Sequence, residues 1–520
     1  MDVSSDPKHP FNLPAWRKIA MLLALSIMTF VCNLEAAAHL TAFPLVAKSL
    51  HGTIPEAANS IGIAILGLGT GPLLWNPLSA AVGRRPVYIG TWILFMPCIV
   101  WCATATSMPS FFAARFLGSF CASTAQTIPA VSITEVWSPK SRGMAIAAWT
   151  LAMIFGPLIA PLICAAIIVR PASWRWMYWL CLILAGFTLI LLVLFVPETL
   201  YTVKRVDHDG HVQVSDSVPA PLAPGDHMVA TDFEQSSHSD SQAGPGQDGE
   251  KQFESGSVQN EKRAVADDEA GKGQLGLAYY PWQDPSKFFK SMVDPLRQAL
   301  YLPILISSVW NGWIFCMSVG KTVVTPRIFE NPPFSYKPVV VGTLFIASII
   351  GAVIGKFVGG SLADLTITTL TRRSSHGRRE PELRLPALII PTAMVIVGTV
   401  VYGDGLDRGL HKGHNWVQPI IGSGIFYFGL SAVQGIVQTY CVEVDLRHAG
   451  STILVYNLIK CVWGFAAPFF IPPWVFRGPQ HAYIIQGAVA AGSGYFVIIV
   501  LLIAGRTLRK LQGLPMLSSP

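Results

Sequence analysis

Charge is what this sequence has least of. Of its 520 residues, 13% are Asp, Glu, Lys or Arg, where a soluble domain carries about 25%. With 52% hydrophobic residues and a mean hydropathy of +0.47, the shortfall excludes an ordinary soluble protein of several domains. Paired, exposed cysteines are missing as well. All nine (Cys32, Cys98, Cys102, Cys121, Cys164, Cys181, Cys316, Cys441 and Cys461) fall inside apolar runs. That argues against a disulfide framework and for small buried hydrophobes. No CxxC motif or His/Cys cluster suggests a metal. No Walker A pattern, G-x-x-x-x-G-K-[ST], appears, and no nucleophile–base constellation points to an enzyme. The chain is therefore expected to work without cofactor or metal, without nucleic acid, and as a non-enzyme. Its first fifteen residues, MDVSSDPKHPFNLPA, lack the apolar core of a cleaved signal peptide. The first span is expected to be its own insertion signal.

Apolar runs fill the chain instead. A helix of roughly 20 such residues crosses the hydrocarbon core. Spans are expected at about 17–46, 56–82, 86–107, 110–137, 142–169, 174–196, 299–329, 338–363, 385–402, 416–442, 449–471 and 480–505. Twelve spans split six and six predict an all-α membrane protein, twelve transmembrane helices in two six-helix pseudo-repeats. The corresponding domains are a cytoplasmic tail (1–16), an N-terminal half (17–200), a cytoplasmic linker (201–298), a C-terminal half (299–505) and a cytoplasmic C-terminal tail (506–520). The linker holds 16 Asp or Glu against 9 Lys or Arg, among many Ser, Gly and Gln. It has too little apolar area to offset ordering entropy, and large disorder is expected. It serves as a tether or as a carrier of phosphosites. Its end, PWQDPSKFFKSMVDPLRQAL, is amphipathic and is expected along the membrane surface. Short loops and tails on one side carry sixteen Lys or Arg, against eight on the other. By the positive-inside bias both termini and the linker are cytoplasmic. The expected place is the plasma membrane, as a monomer.

The stretch NPLSAAVGRRPVYIG (76–90) ends the second span in a tight basic turn, Gly83-Arg84-Arg85-Pro86. Glycine permits the bend. Arginine forks can bond helix C-terminal carbonyls and the acids of a neighbouring helix. After the eighth span the sequence reads Gly360-Ser361-Leu362-Ala363-Asp364, followed by Arg372 and Arg373. Together the two stretches resemble the inner-loop signature of the major facilitator superfamily, roughly G-x-L-a-D-r-x-G-R-R. The first half keeps its end and the second half its beginning. The resemblance implies an inner-turn latch built from Gly83, Arg84, Arg85, Gly360 and Asp364. Ala80 stands where the signature has Asp, so Glu135 is the expected partner. The plainer alternative makes Arg84 and Arg85 only membrane anchors.

The fourth span, ARFLGSFCASTAQTIPAVSITEVW, carries Arg115 where the twelve-span drug:proton antiporter branch of that superfamily has an arginine followed by small residues. The resemblance implies a role in proton coupling or in meeting substrate charge; the alternative is snorkelling to the outer interface. Gly156-Pro157 and Pro161 in LAMIFGPLIAPLICAAI resemble the antiporter motif, G-x-x-x-G-P-x-x-G-G, with Ala152 and Ala160 replacing glycines. Such residues kink a helix and admit a close neighbour. SWRWMYWL, VPETL and GRREPELRLPAL resemble fungal members, efflux proteins and polyamine or organic-cation carriers among them.

Polar groups inside spans are costly, which makes them candidates for a site. Asn33, Glu35 and His39 lie in the first span. On a continuous helix Glu35 and His39 would share a face, and a buried Glu35 is suited to proton or cation binding. Its alternative is a structural pairing with Lys or Arg. Gln126, Trp310, Asn311, Trp313, Tyr427, Gln434 and Gln438 could give a cavity hydrogen bonds over apolar walls, or could serve as interhelical glue and interface anchors. Lys356 and Lys460 could meet an anionic substrate or pair with acids. The resulting reading is a proton-coupled secondary transporter of small organic compounds, its partners a substrate, protons and the bilayer. Drug or secondary-metabolite efflux by alternating access comes first. The alternatives are an uptake permease for polyamines or other organic cations, and a non-transporting sensor.

Overall fold

A computed structural model describes residues 13–137, 139–169, 173–199, 203–206, 212–215, 285–373, 381–412, 416–445 and 448–512. Nearly all of them are helical, the solution that lets an apolar segment satisfy its own backbone in hydrocarbon. The N-terminal half comprises α1 (Ala15–Ala36), α2 (Phe43–Ser49), α3 (Ile54–Thr70), α4 (Pro72–Val82), α5 (Arg84–Thr104), α6 (Met108–Ala122), α7 (Thr124–Val136), α8 (Pro139–Val169) and α9 (Trp176–Phe195). A short antiparallel hairpin follows, β1 (Val203–Val206) paired with β2 (Val212–Ser215). The C-terminal half comprises α10 (Pro285–Ala299), α11 (Leu302–Phe329), α12 (Pro338–Thr343), α13 (Phe345–Arg373), a 3-10 turn (Pro381–Leu388), α14 (Ile389–Lys412), α15 (Val417–Val444), α16 (Ala449–Arg477) and α17 (Pro479–Leu511).

Among the described residues, eleven helical segments are long and apolar enough to span a bilayer. The twelfth crossing is α6 and α7 placed end to end, interrupted at Ser123, so neither piece reaches spanning length alone. The fold is the twelve-helix, two-repeat bundle. The hairpin at 203–215 adds strand inside the stretch expected to be disordered; the rest of 201–284 lies outside the described residues, as do the tails 1–12 and 513–520.

Two boundaries differ from expectation. The first span ends at Ala36, not near residue 46, and residues 37–42 turn before α2. Alanine-rich sequence favours helix here, but tertiary contacts override it. Arg115 donates to the carbonyls of Glu35 and Ala36 where the helix gives way to a turn, the Glu35 carbonyl also accepting from the Ala38 N–H at 3.1 Å. Glu35 and His39 therefore do not share a helix face. The eighth span runs on as helix to Arg373, so Gly360 does not bend the chain; a Cβ there would meet nothing within 4 Å. Gly83 does make its turn, at φ +114°.

Small residues bring the helices together. On α13, Gly351, Gly355 and Gly359 recur every four residues and face Gly424, Phe428 and Ala432 of α15. This is the close approach that drives association in lipid. The two halves meet along α3 and α16, where a Cβ on Gly62 would lie 2.5 Å from the Phe465 carbonyl. Helix α10 packs against α4 and α16. It buries Gln298, whose amide donates to Asp445 (2.7 Å) and accepts from Thr452 (3.2 Å), while Met292, Val293 and Leu296 face outward.

The glycines predict opposite outcomes. Gly355→Ala forces a Cβ onto the Phe428 carbonyl and is expected to cost about 1–3 kcal/mol. Gly360→Ala meets open space and is expected to be neutral or slightly stabilising. Thermal unfolding of the detergent-solubilised chain checks both, and equal shifts would refute the packing assignment.

Candidate functional site

Between the halves lies a cavity whose empty space, open solvent included, is roughly 880 Å³. The N-terminal half contributes Asn33, Ala36, Ala37 and Leu40, then Ile61, Ile65 and Leu68 of α3, Gln126 of α7, and Met153, Ile154, Pro157 and Leu158 of α8. The C-terminal half contributes Phe315, Ser318, Val319, Thr322 and Val323 of α11, Tyr427, Leu430 and Gln434 of α15, and Lys460 and Cys461 of α16. The walls are mostly apolar, with two polar patches. Gln126 donates to Asn33 (3.1 Å), which donates to the Thr29 carbonyl (2.8 Å). Across the cavity, Tyr427 Oη pairs with Thr322 (2.9 Å) and Ser318 (3.2 Å). Among the described residues, Lys460 is the one charged wall residue; its Nζ lies 3.9 Å from Met153 Sδ and 5.2 Å from the centre of the Phe315 ring.

Directly behind the wall formed by Ala36 and Ala37 sits a buried ion pair. Arg115 Nη1 bonds Glu35 Oε1 at 2.6 Å and the Glu35 carbonyl at 2.7 Å. Both side chains are sealed from solvent, and Glu35 Oε2 has no hydrogen-bond partner. The arginine does not snorkel. Its guanidinium lies 6.0 Å from the Tyr178 ring. Tyr178 Oη pairs with His39 Nδ1 (2.8 Å), and His39 Nε2 with Ser60 Oγ (2.8 Å). Glu35, Arg115, Tyr178 and His39 thus form one buried polar cluster, brought together from α1, α6, α9 and the turn after α1.

Of the residues singled out from sequence, Asn33, Gln126, Tyr427, Gln434 and Lys460 reach the cavity. Trp310, Asn311, Trp313, Gln438 and Lys356 do not. Trp310 is buried against Ala490 and Gly494 of α17, Asn311 donates to Tyr456 Oη at 2.8 Å, and Trp313 packs on Trp463. These indoles lie inside the bundle rather than at its interfaces. Lys356 lies against Gly435. Gly156 lets α8 approach α1, since a Cβ there would lie 2.6 Å from Asn33 Cβ. Helix α8 remains continuous through Pro157 and Pro161.

Sequence reasoning missed Lys321. It is 1% exposed, with Nζ 3.6 Å from the Phe426 ring, 4.8 Å from Tyr402 and 3.5 Å from Thr399 Oγ1. The signal was available: a lysine twenty residues into an apolar run. Also missed were Ser318 and Thr322, short hydroxyls that do not stand out in a span.

The face carrying the chain ends holds a repeated clamp. Arg84 donates to Glu135 Oε1 (3.2 Å) and Ser79 Oγ (2.6 Å). Glu198, from VPETL, accepts the backbone N–H groups of Arg84 (2.9 Å) and Arg85 (3.0 Å). A carboxylate is favourable at such a helix N-terminus. Arg85 caps the Val193 carbonyl at 2.7 Å. In the other half Arg384 forks onto Glu443 (2.6 and 2.7 Å) and lies 3.9 Å from the exposed Asp364. Arg509 forks likewise onto Glu382 (both 2.7 Å). Arg384 thus holds in the second half the place that Arg84 holds in the first.

A family model for the Major Facilitator Superfamily matches residues 25–468. The efflux pump radE of Floropilus chiversii is 23% identical, over 90% of this chain and 77% of its own. The citrinin biosynthesis cluster MFS transporter mrr1 of Monascus ruber is 30% identical, over 90% and 82%. Quinidine resistance protein 3 of Saccharomyces cerevisiae is 21% identical, over 85% and 76%. In fold, the chain is similar to the E. coli xylose transporter XylE in a partially occluded inward-open conformation. That likeness has a TM-score of 0.56 and 16% identity, and it covers 94% of this chain and 97% of the other.

Two stability predictions follow from these charges. Glu35→Gln and Arg115→Met each strand a buried group and are expected to cost about 3–5 kcal/mol. The double variant should cost less than the sum, and additive losses in a double-mutant cycle would show that the pair is not coupled. Glu330 ends α11 outside the apolar span, and burial pushes its carboxyl up from 4.5 to about 7. The folded chain holds that proton more tightly than the unfolded chain, so stability from this group rises as pH falls from about 7 toward 4.5. Glu330→Gln should raise Tm at about pH 8 and leave it unchanged near pH 4.5.

Proposed function

The chain belongs to the Major Facilitator Superfamily, and from that premise we propose that this transporter exports small organic compounds in exchange for protons. One observation carries the reading: a cavity at the seam of two six-helix halves, walled by both. Rocking one half against the other turns such a cavity from one face of the membrane to the other. Relatives named as an efflux pump and a resistance protein support the outward direction.

The coupling group in this proposal is Glu35. A carboxylate facing Arg115 in a water-poor site gains or loses a proton only with a change in its surroundings. Its backbone neighbours, Ala36 and Ala37, line the cavity. Protonation of Glu35 loosens Arg115, and Arg115 holds the carbonyls at the end of α1, so proton binding is transmitted to the cavity wall. His39 and Tyr178 orient that cluster. The two clamps, Arg84–Glu135–Glu198 and Arg384–Glu443, stiffen each half where they slide over one another and act as the inner latch. With the positive-inside bias, that face, both tails and the 201–298 linker are cytoplasmic in a plasma-membrane protein.

The test is retention of toxic or fluorescent organic compounds in yeast cells stripped of their own efflux pumps. Cells producing the chain should retain less, and both a protonophore and Glu35→Gln, at equal surface amounts, should abolish the difference. Net accumulation of labelled spermidine would instead establish uptake and sink the export reading.

A further inference from the structure

We infer that the substrate is an amphipathic organic anion, a carboxylate, sulfonate or phenolate on an aromatic or aliphatic body, whose charge docks on Lys460. The inference rests on the reading of the cavity as the transport site and adds to it the chemical class of the cargo.

Lys460 is the twelfth of 29 residues in α16, about 17 Å along the helix from its start, near mid-bundle. It is 7% exposed and lines the cavity. A cation held there out of water needs an anionic partner. Among the described residues it has none: its neighbours are a thioether and a ring. The buried carboxylates among the described residues are already committed, Glu35 to Arg115, Glu382 to Arg509 and Asp445 to Gln298 and His448. Among the described residues, no Asp or Glu lines the cavity.

The other buried lysine sharpens the contrast. Lys321 is enclosed by the faces of Phe426, Tyr402 and Tyr483, which meet its charge within the protein, and it has no cavity frontage. Lys460 has frontage and only one ring, at 5.2 Å. An anion entering the cavity therefore supplies the missing counter-charge. Its apolar body lies on Phe315 and the aliphatic walls, and its remaining polar groups face Gln126 or Tyr427. A polycation meets the opposite situation: like charge at Lys460 and no carboxylate to bind.

The experiment uses the full chain in lipid nanodiscs at neutral pH with three probes of one shape: 1-naphthoate, 1-naphthamide and 1-naphthylmethylammonium. Saturable quenching of tryptophan fluorescence reads the binding. The expected result is naphthoate binding about tenfold or more tightly than the amide, and the ammonium most weakly. Lys460→Met should level naphthoate with naphthamide while leaving the amide unchanged; Lys460→Arg should keep the preference. The inference is overturned if the ammonium binds as well as the acid, if Lys460→Met retains the preference, or if naphthoate shows no saturable binding. No proton gradient enters the measurement. An anion preference without proton-driven export would thus sink the exporter reading alone, and proton-driven export of cations would sink this inference alone.

Discussion

A charge inside a bilayer must be answered, and the internal architecture of this bundle follows from how each one is. Glu35 and Arg115 neutralise each other behind the cavity wall. Their pairing also marks the end of α1, where the guanidinium donates to the last two carbonyls of the helix. The turn that follows delivers His39 to Tyr178 and Ser60. One ion pair thus joins a helix end, a buried polar cluster and one edge of the cavity.

The two halves solve the same problem differently at matching places. Glu35 is the 21st residue of α1 and Lys321 the 20th of α11. Near the first stand Arg115 and Tyr178; near the second stand Phe426 and Tyr483. One half answers its charge with an opposite charge, the other with aromatic faces. Near the chain-end face the repeat is closer. Glu135 and Glu443 are each the penultimate residue of their helix, and each receives an arginine from the segment that opens the preceding span. A common frame thus carries unlike chemistry at its centre.

Lys460 is the exception to that neutrality. Among the described residues no acid meets its charge where it opens on the cavity, which is unfavourable for the empty protein and is what the proposed anionic cargo would answer. The empty site is in this sense incomplete, and differential binding of the cargo can bias the equilibrium between conformations.

Hydrophobic run length, read with the twofold split and the Gly-Arg-Arg and Gly-Ser-Leu-Ala-Asp remnants, determined the fold. Span number depends on local composition alone, because hydrocarbon tolerates only self-satisfied backbone. Run length could not place Ala36 as a helix end, since Glu-Ala-Ala-Ala reads as helix and the arginine that donates to the Glu35 carbonyl lies 80 residues away. Nor could it tell which lysine faces space. Lys321, Lys356 and Lys460 look alike in a string of apolar residues. One is caged, one lies against a glycine and one fronts the cavity, because side-chain surroundings are set by helices distant in sequence. The sequence determined that this chain crosses the membrane twelve times; the packing of those crossings alone decided which charges are spent on one another and which faces the cavity.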